Sequence, residues 1–107
     1  MTIEILNETN FDDKTSTGTT LVDFYADWCG PCRMLTPILE SVASDLDGQV
    51  NVVKVNVDQS PKLAARFGVK GIPTVLVIKN GAVTNRQTGF GNKQQLLELL
   101  SNDKETL

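Results

Sequence analysis

The chain has 107 residues, and ten Lys and Arg against thirteen Asp and Glu give it a formal net charge of −3. This length suits one domain, which we expect over residues 1–107, and it excludes a large multidomain protein. The negative charge and the lack of a basic run argue against nucleic acid as a ligand, and no apolar stretch reaches the roughly 18 residues of a membrane span.

The first quarter of the chain predicts a strand, a short helix and a second strand. We interpret Ile3 to Leu6 as a strand and Thr9 to Lys14 as a short helix. Thr20 to Ala26 is a β-branched and aromatic run, typical of a largely buried strand. The first residues lack the basic and apolar regions of a signal peptide, so we expect a soluble, cytoplasmic protein. We also expect it to be a monomer.

A long amphipathic helix is predicted directly after Cys29. Its apolar residues recur every four positions, with further apolar residues beside them, which gives a broad apolar face. The repeating series is Met34, Ile38, Val42 and Leu46, flanked by Leu35, Leu39 and Ala43. Pro37 lies inside this pattern, and because the periodicity continues past it we expect a kink and not an end.

The middle of the chain predicts another strand and another helix. Val50 to Val57 is rich in valine and is interpreted as a largely buried strand. Ser60 followed by Pro61 is typical of an N-cap and first helical position, and Gly68 is typical of a helix end.

The last third predicts a β-hairpin and a final helix. Thr74 to Lys79 and Ala82 to Gln87 are strand-like runs joined by Asn80-Gly81, a pair that favours a two-residue turn. Asn92 and Gln95 form a capping-box pattern before a leucine-rich run. The alternation along the whole chain predicts an α/β fold, with a central mixed sheet and helices on both faces.

The sequence Trp28-Cys29-Gly30-Pro31-Cys32 follows a predicted strand and opens the long helix. Because proline suits the first turn of a helix, Cys29 falls at the N-cap and Cys32 within the first turn. The positive end of the helix dipole and the free N–H groups there stabilise a thiolate at Cys29 and lower its pKa. Two intervening residues bring the sulfur atoms close enough to bond, so the pair can alternate between dithiol and disulfide.

Two other interpretations of the cysteine pair remain open at this point. A structural disulfide would close a very small loop and stabilise the fold little. A metal site needs about four ligands, and the chain has two cysteines and no histidine, so two chains would have to share the metal. We therefore expect no metal, and the missing histidine also excludes imidazole catalysis and haem attachment.

At this point the sequence closely resembles the thioredoxin family along nearly its whole length. The motifs that carry the resemblance are the Trp28 to Cys32 sequence, Val22-Asp23-Phe24, Pro37, Lys54 with Asp58, and Gly71-Ile72-Pro73-Thr74. The resemblance implies a thioredoxin fold, with a five-stranded mixed sheet flanked by four helices, and reduction of protein disulfides through a dithiol. Tyr25, Thr88 and Phe90 differ from the residues that are frequent in the family at those positions.

Asp23 and Lys54 are candidate members of the site. Asp23 is a carboxylate within an apolar strand, where burial raises the pKa, although it could also be an Asp that faces an edge. The resemblance makes it the buried acid beneath the cysteines, which accepts the proton of Cys32. Lys54 lies in a valine-rich strand and is a candidate partner of Asp23, or a lysine that reaches out to solvent.

The resemblance also implies a substrate-binding surface. In the family the proline that matches Pro73 is cis and packs against the disulfide, which leaves the backbone of Ile72 free to pair with an extended substrate. An ordinary trans proline at a strand start is the alternative. The expected apolar patch consists of Trp28, Gly30, Pro31, Ile72, Pro73 and Gly89. Trp28 could instead be a core aromatic, and Gly89 a simple loop residue.

The expected function is reduction of protein disulfides. Without a Gly-x-Gly-x-x-Gly motif the chain has no sign of a flavin or nicotinamide site, so we expect no bound cofactor. Re-reduction then requires a separate donor, thioredoxin reductase or an equivalent, and the clients are proteins that contain disulfides. The alternatives are a disulfide isomerase or oxidase domain of the same fold, and a binding subunit that uses the apolar patch without redox turnover.

Overall fold

Strands and helices alternate along the chain as the sequence predicts. A computed structural model describes residues 3–101, and the predicted domain of residues 1–107 extends beyond them at both ends. The elements are β1 (Glu4–Leu6), α1 (Phe11–Thr15), β2 (Thr19–Tyr25), α2 (Gly30–Asp45), β3 (Asn51–Asn56), α3 (Pro61–Arg66), β4 (Thr74–Lys79), β5 (Ala82–Thr88) and α4 (Lys93–Ser101).

The strands form one mixed sheet in the order β1-β3-β2-β4-β5. β1, β3 and β2 are parallel, whereas β4 pairs antiparallel with both β2 and β5. This confirms the predicted five-stranded α/β fold, with the hairpin as its antiparallel edge. β2 lies at the centre, so its side chains are covered on both faces.

Two hydrophobic cores lie on the two faces of the sheet. The first is formed by α1 and α3 with alternate strand residues, among them Phe11, Val22, Phe24, Val55, Leu63 and Ile78. The second is formed by α2 and α4 with the strand residues that point to the other face of the sheet. Its members include Leu21, Leu35, Leu39, Val75, Val77 and Leu96. Helices therefore cover both faces, as predicted, and α2 brings its first turn to the end of β2.

The predicted apolar face of α2 is wrong in one respect, because Met34 is 63% exposed. The buried residues of this helix are Cys32, Leu35, Leu39, Val42 and Ala43. A helix has 3.6 residues per turn, so each four-residue step rotates the side-chain direction by about 40°. A series of such steps drifts around the helix, and its first member points away from the sheet.

The predicted hairpin turn and capping box are confirmed, whereas Ser60 lies at the N-cap of α3 without a side-chain capping hydrogen bond. Asn80 and Gly81 have φ values of 51° and 86°, as the hairpin turn requires. The Asn92 side chain accepts a hydrogen bond from the Gln95 N–H at 2.9 Å, and the Gln95 side chain accepts one from the Asn92 N–H at 2.8 Å. This reciprocal pair is the predicted capping box.

The first helix begins later than predicted, at Phe11 instead of Thr9. The Asn7 side chain accepts hydrogen bonds from the N–H groups of Thr9 and Asn10. Those bonds hold residues 7–10 in a turn, since an Asn side chain there competes with helical hydrogen bonding.

Candidate active site

The two cysteines lie where β2 ends and α2 begins. Cys29 is the N-cap of α2 with extended backbone angles, and its sulfur accepts a hydrogen bond from the Cys32 N–H at 3.2 Å. A disulfide joins the two residues, whose Cα atoms are 5.2 Å apart. The predicted positions at the helix N-terminus are confirmed, and both residues are buried.

The start of α2 provides the electrostatics that a reactive thiol needs. The Cys32 N–H already points at the Cys29 sulfur, and the first N–H groups of a helix have no partner within it. When the pair is reduced, these donors and the positive end of the 16-residue helix stabilise negative charge on the Cys29 sulfur. The geometry therefore suits a pair that alternates between dithiol and disulfide.

Asp23 lies in the central strand β2 and is fully buried. Its neighbours in register are Lys54 on β3 and Val75 on β4, so the alternative of an Asp at a sheet edge is wrong. Among residues 3–101, neither carboxylate oxygen of Asp23 has a hydrogen-bond partner. Burial raises the pKa of Asp23 from 3.8 to about 7, against a lowering by Lys54. The rise in pKa confirms the expectation from the sequence.

Lys54 is half-buried beside Asp23, yet its ammonium group contacts other residues. The Nζ atom lies 4.1 Å from the centre of the Tyr25 ring and donates a hydrogen bond to Thr36 Oγ1 at 3.3 Å. These three residues line a cavity of about 130 Å³ together with Ala26, Asp27, Cys32 and Arg33. The structure thus brings Lys54 and Cys32 to one cavity at the end of the sheet.

The sequence does not predict that Tyr25 and Thr36 contact the Lys54 ammonium group. Tyr25 reads as one more aromatic residue of a buried strand, and its ring contact depends on the neighbouring strand. Thr36 does carry a weak signal, because it is a polar residue one helical turn after Cys32, a spacing at which two residues share a face.

The outer side of the disulfide faces the loop before β4. The Cys29 sulfur lies 3.9 Å from the Ile72 carbonyl oxygen, and the Ile72–Pro73 peptide bond is cis, as the resemblance implies. The Gly89 N–H donates a hydrogen bond to the Pro73 carbonyl at 2.8 Å. Ile72, Pro73 and Gly89 therefore lie together near Cys29, and none of them is among the residues that line the cavity.

Trp28 completes this outer surface. Its side chain is 69% exposed, so the alternative of a core aromatic is wrong. The indole Nε1 donates a hydrogen bond to Asp58 Oδ2 at 2.9 Å, which fixes the orientation of the ring. Gly30 is partly exposed and Pro31 is exposed beside it. Of the six residues of the expected apolar patch, Trp28, Gly30 and Pro31 adjoin the cysteines in the chain and Ile72 contacts Cys29. Pro73 follows Ile72 and is buried, and Gly89 is bonded to Pro73.

Comparison with known proteins identifies the family. The family profile described as Thioredoxin matches residues 2–102. A thioredoxin of Staphylococcus saprophyticus is 45% identical over 94% of this chain and 96% of its own length. A thioredoxin of Chlamydia muridarum is 43% identical over 92% of this chain and 96% of its own length. The chain belongs to the thioredoxin family.

Family membership and the cysteine geometry agree on the chemistry. Like other thioredoxins, the chain is a thiol-disulfide oxidoreductase with a redox-active cysteine pair, and it acts as a protein-disulfide reductase. The isomerase, oxidase and binding-subunit alternatives are not favoured. Between residues 3 and 101, no helix is long and apolar enough to cross a membrane. In the same part of the chain, no group of three or more His, Cys, Asp or Glu could hold a metal ion.

Proposed function

We propose that Cys29 is the nucleophile and Cys32 the resolving thiol in the reduction of protein disulfides. This assignment rests on one observation, which is that the two cysteines have different surroundings. The Cys29 sulfur is the helix cap and contacts the outer loop at Ile72, whereas Cys32 lines the inner cavity with Lys54. A substrate disulfide approaching from outside would meet the Cys29 sulfur first.

The reaction then has two exchange steps. The Cys29 thiolate attacks one sulfur of the substrate disulfide, forms a mixed disulfide and releases the first substrate thiolate, which takes up a proton from water. The Cys32 thiolate attacks the Cys29 sulfur, which breaks the mixed disulfide, forms the Cys29–Cys32 disulfide and releases the second substrate thiolate, which also takes up a proton. The substrate gains two electrons and two protons, and the protein becomes oxidised.

Asp23 is proposed as the acceptor of the Cys32 proton, and Lys54 as the residue that moderates its pKa. A carboxyl with a pKa of about 7 is a far stronger base at neutral pH than an ordinary carboxyl. Without such a base the Cys32 thiol, buried away from solvent, would be slow to become a thiolate. Lys54 favours the ionised form of Asp23, so it prevents the pKa from rising further.

The substrate is proposed to be an extended segment of polypeptide. It would pair with the backbone of Ile72 and contact a patch formed by Trp28, Gly30, Pro31, Ile72, Pro73 and Gly89. The large exposed area of Trp28 supports this role, because aromatic side chains contribute strongly to protein recognition.

The direction of electron flow sets the partners. No histidine lies between the cysteines to stabilise the thiolate further, so the reduced form is less favoured than in oxidising relatives and the domain acts as a reductant. We therefore propose thioredoxin reductase, or an equivalent donor, as the source of electrons, and a single-domain monomer as the working form. A dithiol that must stay reduced suits the cytoplasm, and a redox potential near that of strongly oxidising proteins would contradict this proposal.

Trapping of mixed disulfides tests the assignment of the two cysteines. The Cys32→Ser variant should accumulate substrates bound through Cys29, and Cys29→Ser is the matched control that should trap none. Partners captured this way identify the clients. Trapping through Cys32 in the control variant would reverse the two roles.

Replacement of Asp23 tests the proton acceptor. Asp23→Ala should slow the second exchange step near neutral pH by about tenfold or more, since a positioned base contributes at least this much. The measurement is the decay of a preformed mixed disulfide, followed with pH. An unchanged rate would remove Asp23 from the mechanism.

A further inference from the structure

The Lys54 ammonium is held at two points within the cavity. The Tyr25 ring lies 4.1 Å from Nζ and attracts the ammonium through its π-electrons. The Thr36 hydroxyl accepts a hydrogen bond from Nζ at 3.3 Å and donates its own proton to the Cys32 carbonyl at 3.3 Å. Of the two contact groups, the Thr36 hydroxyl is thus fixed by a further hydrogen bond.

The contact that Lys54 does not make is the informative one. Lys54 and Asp23 are register partners on adjacent parallel strands, where neighbouring backbones are about 4.8 Å apart and aligned side chains share a face. A four-carbon lysine stem can therefore reach the carboxylate. Yet within the described ranges no ion pair of 4.0 Å or less joins these two residues.

We propose that Tyr25 and Thr36 are positioning residues that keep the Lys54 ammonium out of ion-pair contact with Asp23. Held at a distance, the positive charge moderates the acidity of the buried carboxyl without pairing with it. The carboxyl then remains able to take up and release a proton near neutral pH. This inference rests on the proposed role of Asp23 as the acceptor of the Cys32 proton.

Lys54 is the charged neighbour that acts on the pKa of Asp23. From β3 the charged neighbour of Asp23 is Lys54, and from β4 it is the uncharged Val75. On the α2 side the cavity presents Cys32 and the exposed Arg33, and after β2 it presents the exposed Asp27. Of these groups, Lys54 is the one that lowers the pKa of Asp23, in opposition to burial.

The test measures the pKa of Asp23 by carbon-13 NMR of its side-chain carboxyl in the oxidised protein, in which the cysteines do not titrate. Tyr25→Leu removes the ring face, and Thr36→Val removes the hydroxyl with little change of shape. Each should release the ammonium toward the carboxylate and lower the pKa of Asp23 by about one unit, since an opposite charge at contact distance has at least this effect. Tyr25→Phe keeps the ring face and should leave the pKa nearly unchanged.

A Lys54→Met background separates positioning from altered hydration of the cavity. In that background the Tyr25→Leu and Thr36→Val changes should no longer move the pKa of Asp23, because the charge they position is gone. A pKa that stays the same or rises in both single variants would overturn the inference. So would a fall that persists without Lys54, or a fall in Tyr25→Phe as large as that in Tyr25→Leu.

The decay of the mixed disulfide provides a second readout. If Asp23 accepts the Cys32 proton, the pH midpoint of the decay should move to lower pH in the same two variants and by the same amount. A shifted NMR titration with an unshifted decay profile would support the positioning of Lys54 and overturn the role of Asp23. Failure of the inference and failure of the proposed function therefore give different results.

Discussion

At the scale of single residues, the buried Asp23 carboxyl links one protonation event to the stability of the whole fold. Its pKa rises from 3.8 to about 7 on burial. Between these two pH values the unfolded chain has an ionised carboxylate while the folded protein keeps the proton. The unfolded state then binds fewer protons, so stability falls as the pH rises through this window and the full penalty is present above pH 7.

An Asp23→Asn variant should reverse this penalty, because an amide cannot ionise. Its free energy of unfolding, compared with that of the parent, should rise by about 4 kcal/mol between about pH 4 and about pH 8. Denaturant unfolding of both oxidised proteins across that range measures the difference, and Asp47→Asn, at an exposed carboxyl, is the matched control. A difference between Asp23→Asn and the parent that stays constant with pH would contradict the raised pKa.

Trp28 should affect substrate recognition far more than stability. Its ring is 69% exposed, so Trp28→Ala should change the free energy of unfolding by less than about 0.5 kcal/mol. Because an aromatic residue at the centre of a docking surface contributes more than 1 kcal/mol, kcat/KM for a protein disulfide should fall about tenfold. Val83→Ala, at an exposed apolar residue of the distant hairpin, should leave kcat/KM unchanged.

The parts of the site that the sequence predicts are those fixed by local chemistry. Cys29 at a helix cap follows from Pro31 and the preceding strand, and the raised pKa of Asp23 follows from an acid within an apolar run. The position of the Lys54 ammonium over the Tyr25 ring does not follow from either. It depends on which strand lies beside β2 and on the rotation of α2, and both are set by packing of the whole sheet.

At the scale of elements, the capping box of α4 is a stabilising device that can be tested by itself. Asn92→Ala removes the acceptor of the Gln95 N–H and should lower the free energy of unfolding by about 1 kcal/mol. Asn92→Ser keeps a capping oxygen and should restore most of the loss. Gln94→Ala, at an exposed position of the same helical turn, is the control. Equal effects of Asn92→Ala and Gln94→Ala would show that the cap contributes nothing specific.

Elements with strong local signals are the ones that the sequence locates well. The strand Thr74–Lys79 is predicted with its observed bounds, since a hairpin turn ends it. The exposed Met34 and the late start of α1 at Phe11 are the clear errors. Both errors arise where the sequence pattern allows two arrangements. For Met34, the packing of α2 on the sheet decides which residues of the apolar series are buried. For α1, the hydrogen bonds of the Asn7 side chain hold residues 7–10 in a turn.

At the scale of the whole molecule, the central strand β2 joins the two cores. Val22 and Phe24 belong to the core beneath α1 and α3, while Leu21 belongs to the core beneath α2 and α4. Because both cores pack against β2, unfolding of one core should disturb the strand on which the other core depends. We therefore expect the oxidised protein to unfold in one cooperative transition, as small single domains usually do.

Paired valine truncations on the two faces test this cooperativity. Val55→Ala affects the first core and Val77→Ala the second; both residues are fully buried. Each should lower the free energy of unfolding by about 2 kcal/mol through lost burial and a small cavity. The two strands that carry them, β3 and β4, are separated by β2, hence by about 10 Å, so the effects should add in the double variant.

Far-UV circular dichroism and Trp28 fluorescence should report the same midpoint in every variant. Separate midpoints, or a truncation that shifts only one of the two signals, would mean that the faces unfold independently.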